Sequence, residues 1–156
     1  MSDALYNEKI LAAARGLDPD DRLEDPQATV QLTSPLCGSR IRVDLRVADG
    51  RVAAYGQEVR ACALGQSAAA IMKRHAVGRT RAELIAVRDA MEAMLKQDAP
   101  PPGGEWAELE VLAPARAHKS RHASILLPFK AVVKAFDEAA AAGASRGDAA
   151  GSSAQA

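Results

Sequence analysis

The stretch RIRVDLRVADGRVAAYGQEVR, Arg40 to Arg60, decides the fold. In its first part Ile41, Val43, Leu45 and Val47 fall on one side of an extended chain, and Arg40, Arg42, Asp44 and Arg46 fall on the other. Strand side chains point to opposite faces in turn, so this alternation predicts a half-buried strand, apolar inward and charged outward. Asp49-Gly50 supplies the positive backbone φ angles of a two-residue hairpin turn. Arg51 to Arg60 then returns as the next strand, weakened by Ala53, Ala54 and Gly56.

Upstream, Ala28 to Leu32 reads as a further strand, which makes a three-stranded antiparallel meander. Before it, Leu5, Ile10, Leu11 and Ala14 recur at helical spacing, and the polar stretch Gly16 to Pro26 connects that short helix to the sheet. Downstream, ACALGQSAAAIMKRH places Leu64, Ala68, Ile71 and His75 about one turn apart, so a helix starts near Cys62. Thr80 and Glu83 form a capping box, each side chain reaching the other's backbone N–H, and Leu84, Val87, Met91, Met94 and Leu95 continue an apolar stripe. DAPPPGG, Asp98 to Gly104, ends that helix; a short WAELEVL segment and the linker APARAHKSRH follow. The last helix is predicted over Ser124 to Ala140 with Phe129, Val132, Val133 and Phe136 inward, starting close before Pro128, which the first helical turn tolerates. The expected organisation is one domain over 1–140 and a disordered tail over 141–156, where small and polar residues have nothing to bury.

A chain of 156 residues buries roughly two-thirds of its unfolded surface, enough for a core without disulfides. Twenty basic residues balance twenty acidic ones, so no broad field argues for nucleic acid or a membrane surface as partner. The two cysteines make no disulfide framework, and MSDALYNEKILAAARG is amphipathic and mixed in charge, unlike a secretory signal. A soluble, cytoplasmic protein is the expectation.

The chemistry gathers at the cysteines. Cys37 sits in SPLCGS between the first two strands, and Cys62 sits where the third strand hands over to a helix. In a meander those points fall at the same end of the sheet. A helix N-terminus there favours a thiolate, the form of sulfur that binds metal or carries sulfur.

SPLCGS resembles the N-P-x-C-G-D turn of the NifU/IscU iron–sulfur cluster scaffold family, with its zinc-binding SufU branch. ACALGQSAAAIM is similar to that family's G-C-A-x-S-x-A-S helix start, LYNEKIL to its Tyr-containing first helix, and SRHASILLPFKAVVKAF to its closing R-x-x-C-x-x-L segment. The resemblance covers roughly residues 5–140 in the same order. It implies an α+β fold, a small antiparallel sheet packed with helices, and a site of three cysteines and an aspartate at one end. It also implies a scaffold, not an enzyme, that takes sulfur from a cysteine desulfurase, holds iron or a [2Fe-2S] cluster transiently, or in one branch zinc, and passes it to iron–sulfur acceptor proteins.

The sequence departs from that pattern at two positions. Ser39 stands where the family has aspartate, and the third cysteine is replaced by Ser124 or, with the alignment shifted by one, by Ala123 beside His122. APARA replaces the family's P-P-V-K chaperone stretch. A [2Fe-2S] cluster needs four protein ligands. Cys37 and Cys62 supply two, His122 is the candidate third, and a fourth would come from a second chain in a homodimer, a small thiol or solvent. Zinc on Cys37, Cys62 and His122 would have one open position. Weak metal binding is therefore expected, and the alternative function is a persulfide relay or desulfurase-binding regulator that builds no cluster. Simpler roles also fit single residues: Ser124 as a helix N-cap, Ser39 as a turn former, and His75 and His118 as solvated side chains.

Overall fold

The computed structural model describes residues 8–18, 20–35 and 38–149, the last seven of these for their backbone only. Helix α1 (Glu8–Ala14) leads into a four-stranded antiparallel sheet of β1 (Asp20–Asp21), β2 (Ala28–Thr33), β3 (Arg40–Ala48) and β4 (Arg51–Arg60). Helix α2 (Ala63–His75), helix α3 (Arg81–Gln97), two 3-10 segments (Gly104–Ala117 and Lys119–Arg121) and helix α4 (His122–Ala149) follow. The spatial order is β1-β4-β3-β2, so the expected meander is present and gains a two-residue edge strand. This is the α+β architecture anticipated above, with four strands in place of three.

The hairpin forms as its sequence dictates. Asp49 and Gly50 both adopt positive φ, 55° and 74°, and Ala48 faces Arg51 across the turn. Ile41, Val43 and Leu45 are fully buried on one face of β3 and face Val59, Gln57 and Tyr55 of β4. Between Arg46 and Val47 the register shifts, because Arg46 faces Ala54 whereas Val47 faces Val52, which leaves Ala53 as an extra residue in a bulge. The inward Gln57 is satisfied rather than stranded: it accepts from the Tyr55 hydroxyl at 2.8 Å and donates to the Ala69 carbonyl at 3.1 Å. Paired this way, a buried amide avoids a desolvation penalty of roughly 1–3 kcal/mol.

The outer face corrects one expectation. Asp44 is fully buried, although strand alternation assigns it to solvent. The connection after β1 folds across it, so that Arg22 makes a two-pronged ion pair with the carboxylate at 2.6 and 2.9 Å. The Leu23 N–H donates to it at 3.0 Å and the Thr29 hydroxyl at 2.6 Å. Burial alone would raise the Asp44 carboxyl, but these donors outweigh it and hold it below the ordinary carboxylate value. Gly56, facing Asp44 on β4, is required by the same connection: a Cβ there would lie 2.7 Å from the Leu23 nitrogen and 2.9 Å from the Asp21 carbonyl.

Helix α4 packs on the inner face of β2 and β3, and α2 and α3 pack against α4. Phe129, Val132, Val133 and Phe136 are buried, as the pattern predicts. Leu64, Ala68 and Ile71 of α2 are fully buried, and in α1 Ile10 and Ala13 face the core while Leu11 is exposed. His75 is half-buried against the Trp106 ring and Glu108 rather than solvated. The capping box is complete: Glu83 N–H donates to the Thr80 hydroxyl at 3.2 Å, and Thr80 N–H donates to the Glu83 carboxylate at 2.8 Å.

Helix α4 begins at His122, two residues earlier than expected, and its backbone continues to Ala149. Pro128 therefore lies in the second turn, not the first. Having no N–H, it leaves the Ser124 carbonyl without its ordinary i+4 helical donor. Residues 150–156 of the expected tail, and Leu5 of the expected first helix, lie outside the described residues.

Candidate functional site

Three elements converge at one end of the sheet. The β2–β3 turn closes there, with Ser34 N–H donating to the Ser39 carbonyl and Gly38 N–H donating to the Ser34 carbonyl, both at 2.8 Å. Gly38 takes φ 72°, a left-handed conformation that glycine adopts without strain. Arg40 pairs with Arg60 across the sheet, so the exit of this turn and the exit of β4 lie side by side. Cys62 follows two residues later as the N-cap of α2, with extended φ −71° and ψ 175°. Its side chain makes no capping hydrogen bond. The half-buried thiol therefore stands at the positive end of a helix with its sulfur uncommitted to that helix.

Ser124 brings α4 to the same point. Its hydroxyl donates to the Ser39 hydroxyl at 2.9 Å, and its oxygen lies 3.9 Å from the Cys62 sulfur. Both serines are buried, at 3% and 1% exposure for Ser39 and Ser124. Gly65, one turn into α2, permits this approach: a Cβ there would stand 2.7 Å from the Ser124 oxygen and 2.7 Å from the Ala61 Cβ. A thiol, two hydroxyls and a glycine gap thus form one compact group.

Among the residues singled out from sequence, the structure joins Cys62, Ser39 and Ser124. Cys37 lies outside the described residues; its neighbour Gly38 is one peptide bond from it. Of the two alternatives for the missing third cysteine, Ser124 is the one whose side chain lies beside Cys62. Ser124 is not the N-cap of α4 either, since the helix starts before it.

His122 is not brought to the thiol. Successive helical residues turn by about 100°, so positions two apart point about 200° away from each other. His122 is 5% exposed, and its Nε2 lies 2.9 Å from the Ala115 carbonyl and 3.2 Å from that of Arg116. Both partners are acceptors, so Nε2 carries the proton. The ligand role expected for His122 rested on nearness in sequence, which the helix converts into opposite sides. Among the described residues no group of three or more His, Cys, Asp or Glu side chains could hold a metal ion.

The chain shares 41% of its sequence with the N-terminal part of a nitrogen-fixing NifU-like protein from Brucella abortus, over 88% of this chain and 96% of that one, with a TM-score of 0.85. The chain belongs to the NifU-like family. Two more distant structures share the NifU-like fold. One is a protein from Fervidobacterium islandicum assigned to the SUF system as an iron–sulfur cluster assembly scaffold, 17% identical over 87% of this chain and 99% of that one, TM-score 0.77. The other is a hypothetical protein, 20% identical over 86% and 98%, TM-score 0.75. No protein-family model and no curated protein matches the sequence. What sequence reasoning missed in this NifU-like chain is that its two departures touch each other: Ser39 and Ser124 are the two ends of one hydrogen bond. The signal was available, since the resemblance implies an ionisable ligand at both positions and the sequence has the same neutral group at each.

Proposed function

We propose that this protein serves iron–sulfur cluster assembly as a NifU-like component whose retained chemistry is acceptance of sulfur on its thiols. The kinship with a NifU-like protein supports the general role. The observation that carries the finer reading is the Ser124–Ser39 hydrogen bond beside Cys62. A [2Fe-2S] cluster takes four ligands, ordinarily thiolates. Here two of the family's ligand positions hold hydroxyls that are neutral near pH 7 and are engaged with each other. The donor set does not fit a firmly held cluster, so iron is labile cargo at most, and zinc lacks a closed ligand shell for the same reason.

Sulfur transfer needs none of the missing ligands. The Cys62 thiolate attacks the outer sulfur of a persulfide on a cysteine desulfurase; the donor S–S bond breaks as the new one forms, and the donor leaves as a thiol after taking a proton. One persulfide and one thiol become one thiol and one persulfide, with no outside oxidant. Cys37, next to Gly38 in sequence, is the second acceptor and the step onward to iron–sulfur acceptor proteins. Such chemistry belongs in a reducing compartment, the cytosol. Among the described residues no helix is long and apolar enough to cross a membrane.

The test incubates the full chain with a cysteine desulfurase and cysteine, then maps added sulfur by mass spectrometry. A parallel anaerobic reconstitution with iron and sulfide counts bound iron. Persulfide on Cys62 or Cys37 with iron well below one atom per chain supports the proposal. A stable cluster at stoichiometric iron, without persulfide, replaces it with a cluster-building scaffold, and in that case a homodimer supplying the missing ligands is the form to look for.

A further inference from the structure

On the far side of the first turn of α4 from Cys62 lies a cavity of about 510 Å³ between α3, the 3-10 segments and α4. Lys96, Arg116, Lys119 and Lys130 line it, with Leu95 and Leu126 as apolar floor. No acidic side chain lines it. Two of the four cations are compensated from outside, Lys96 by Glu92 at 3.3 Å and Arg116 by the exposed Asp98 at 3.2 Å. Lys119 and Lys130 are exposed and have no acidic partner within 4 Å among the described residues. Arg116 is also fixed in place, donating to the Met94 carbonyl at 3.0 Å and to the Ala99 carbonyl at 2.6 Å. His122, held by its bonds to Ala115 and Arg116, and Ala123 complete the wall.

We propose that this cavity is a second binding site, for a small organic anion that carries a phosphate or carboxylate on an apolar body. Its volume falls within the range of roughly 300–1,000 Å³ typical of small-molecule sites, and an apolar lining with a few convergent polar groups is their usual composition. Four cations facing one concavity repel one another, and a bound anion relieves that repulsion, most strongly at the two lysines without partners. Leu95 and Leu126 are 3% and 1% exposed, so they back the cavity as packed core, and the apolar surface open to a tail comes from Ala123 and the methylene stems of Lys96, Lys119 and Lys130. The site stands apart from sulfur transfer and does not depend on it.

The experiment titrates the full chain with octyl phosphate, octanoate, octanol and inorganic phosphate, reading heat and backbone amide shifts. One or both amphiphilic anions should bind, shifting the amides of Lys119, His122, Ala123 and Lys130, and the two arms tell phosphate from carboxylate. The neutral alcohol and bare phosphate should each bind about tenfold or more weakly, as loss of charged hydrogen bonds or of apolar contact implies. The paired change Lys119→Glu and Lys130→Glu, at exposed positions, should weaken the anion by a similar factor while leaving thermal unfolding in place. Equal binding of octanol, equal binding of bare phosphate, an unchanged affinity in the double variant, or shifts centred elsewhere would each overturn the proposal. Binding of polyglutamate but of neither amphiphile would overturn it in favour of an acidic protein partner.

Discussion

If hydroxyls are what prevents firm metal binding, putting ionisable ligands back should restore it. The perturbation is Ser124→Cys combined with Ser39→Asp. In a tetrahedral zinc site with Zn–S near 2.3 Å, neighbouring sulfurs stand about 3.8 Å apart. The Cys62 sulfur and the Ser124 oxygen are already 3.9 Å apart, so a sulfur at 124 begins at the required spacing. The Ser39 oxygen is 2.9 Å from that of Ser124, and an aspartate there reaches one atom further toward the same centre. A structural four-ligand zinc site is worth about 10–16 kcal/mol, or about 3 kcal/mol per ligand; two restored ligands add about 6 kcal/mol. The lost serine–serine hydrogen bond takes back about 1 kcal/mol. The net of about 5 kcal/mol corresponds to between three and four orders of magnitude in affinity. Competition with a chromophoric chelator measures it, and cobalt(II) in place of zinc reports tetrahedral thiolate coordination directly. A folded double variant that binds zinc no more tightly than the unaltered chain would refute the reasoning, and adding Cys37→Ser should abolish the gain if Cys37 completes the set.

Gly65→Ala should lower the melting temperature: a Cβ 2.7 Å from both the Ser124 oxygen and the Ala61 Cβ costs about 1–3 kcal/mol in overpacking, against a helix-propensity gain of about 1 kcal/mol. An unchanged or raised transition in calorimetry would contradict the close approach described for α2 and α4. Asp44→Ala should destabilise by about 3 kcal/mol, since it strands the Arg22 guanidinium and the Leu23 and Thr29 donors. Because the folded protein holds Asp44 below its usual 3.8, this stabilisation is present above that value and is lost as pH falls through the lower folded value. Denaturant midpoints measured down the pH scale should therefore fall in the parent, and the gap between parent and Asp44→Ala should narrow in acid. Thr80→Ala removes one half of the capping box and should cost about 1 kcal/mol in chemical denaturation, with no effect on sulfur transfer.

The parts of the fold legible from sequence were those in which neighbouring residues carry the information. The alternation in β3, the positive-φ pair Asp49-Gly50 and the Thr80–Glu83 box each work within a few positions of chain, and each appears where expected. Asp44 was misread because its partners Arg22 and Leu23 come from a connection whose two-residue strand leaves no periodic trace. Gly56 reads in the sequence as a weakness of β4 for the same reason, yet it is the gap through which that connection passes. The helix start near Pro128 was misplaced because proline's tolerance in a first turn does not require that it sit there. At the site, sequence indicated Cys62 and the two altered positions, but it could not show that His122 faces the opposite side of α4 once the helix begins at 122. The mutual bond of Ser39 and Ser124 spans 85 positions, a separation over which only the folded chain carries information.

The unpaired Ala53 makes β4 a ruler with one odd division. Val52 and Tyr55, three apart, both face inward only because that division is counted once, and Gln57 and Val59 keep the count as far as the end of the strand. Removing Ala53 alone would leave Val52 and Tyr55 two apart and still inward by plain alternation, whereas removing Ala53 and Ala54 together would make them neighbours on opposite faces, invert every later position and swing Cys62 toward the wrong side. The placement of the Cys62 sulfur is thus set by arithmetic nine residues upstream, in a stretch with no chemistry of its own.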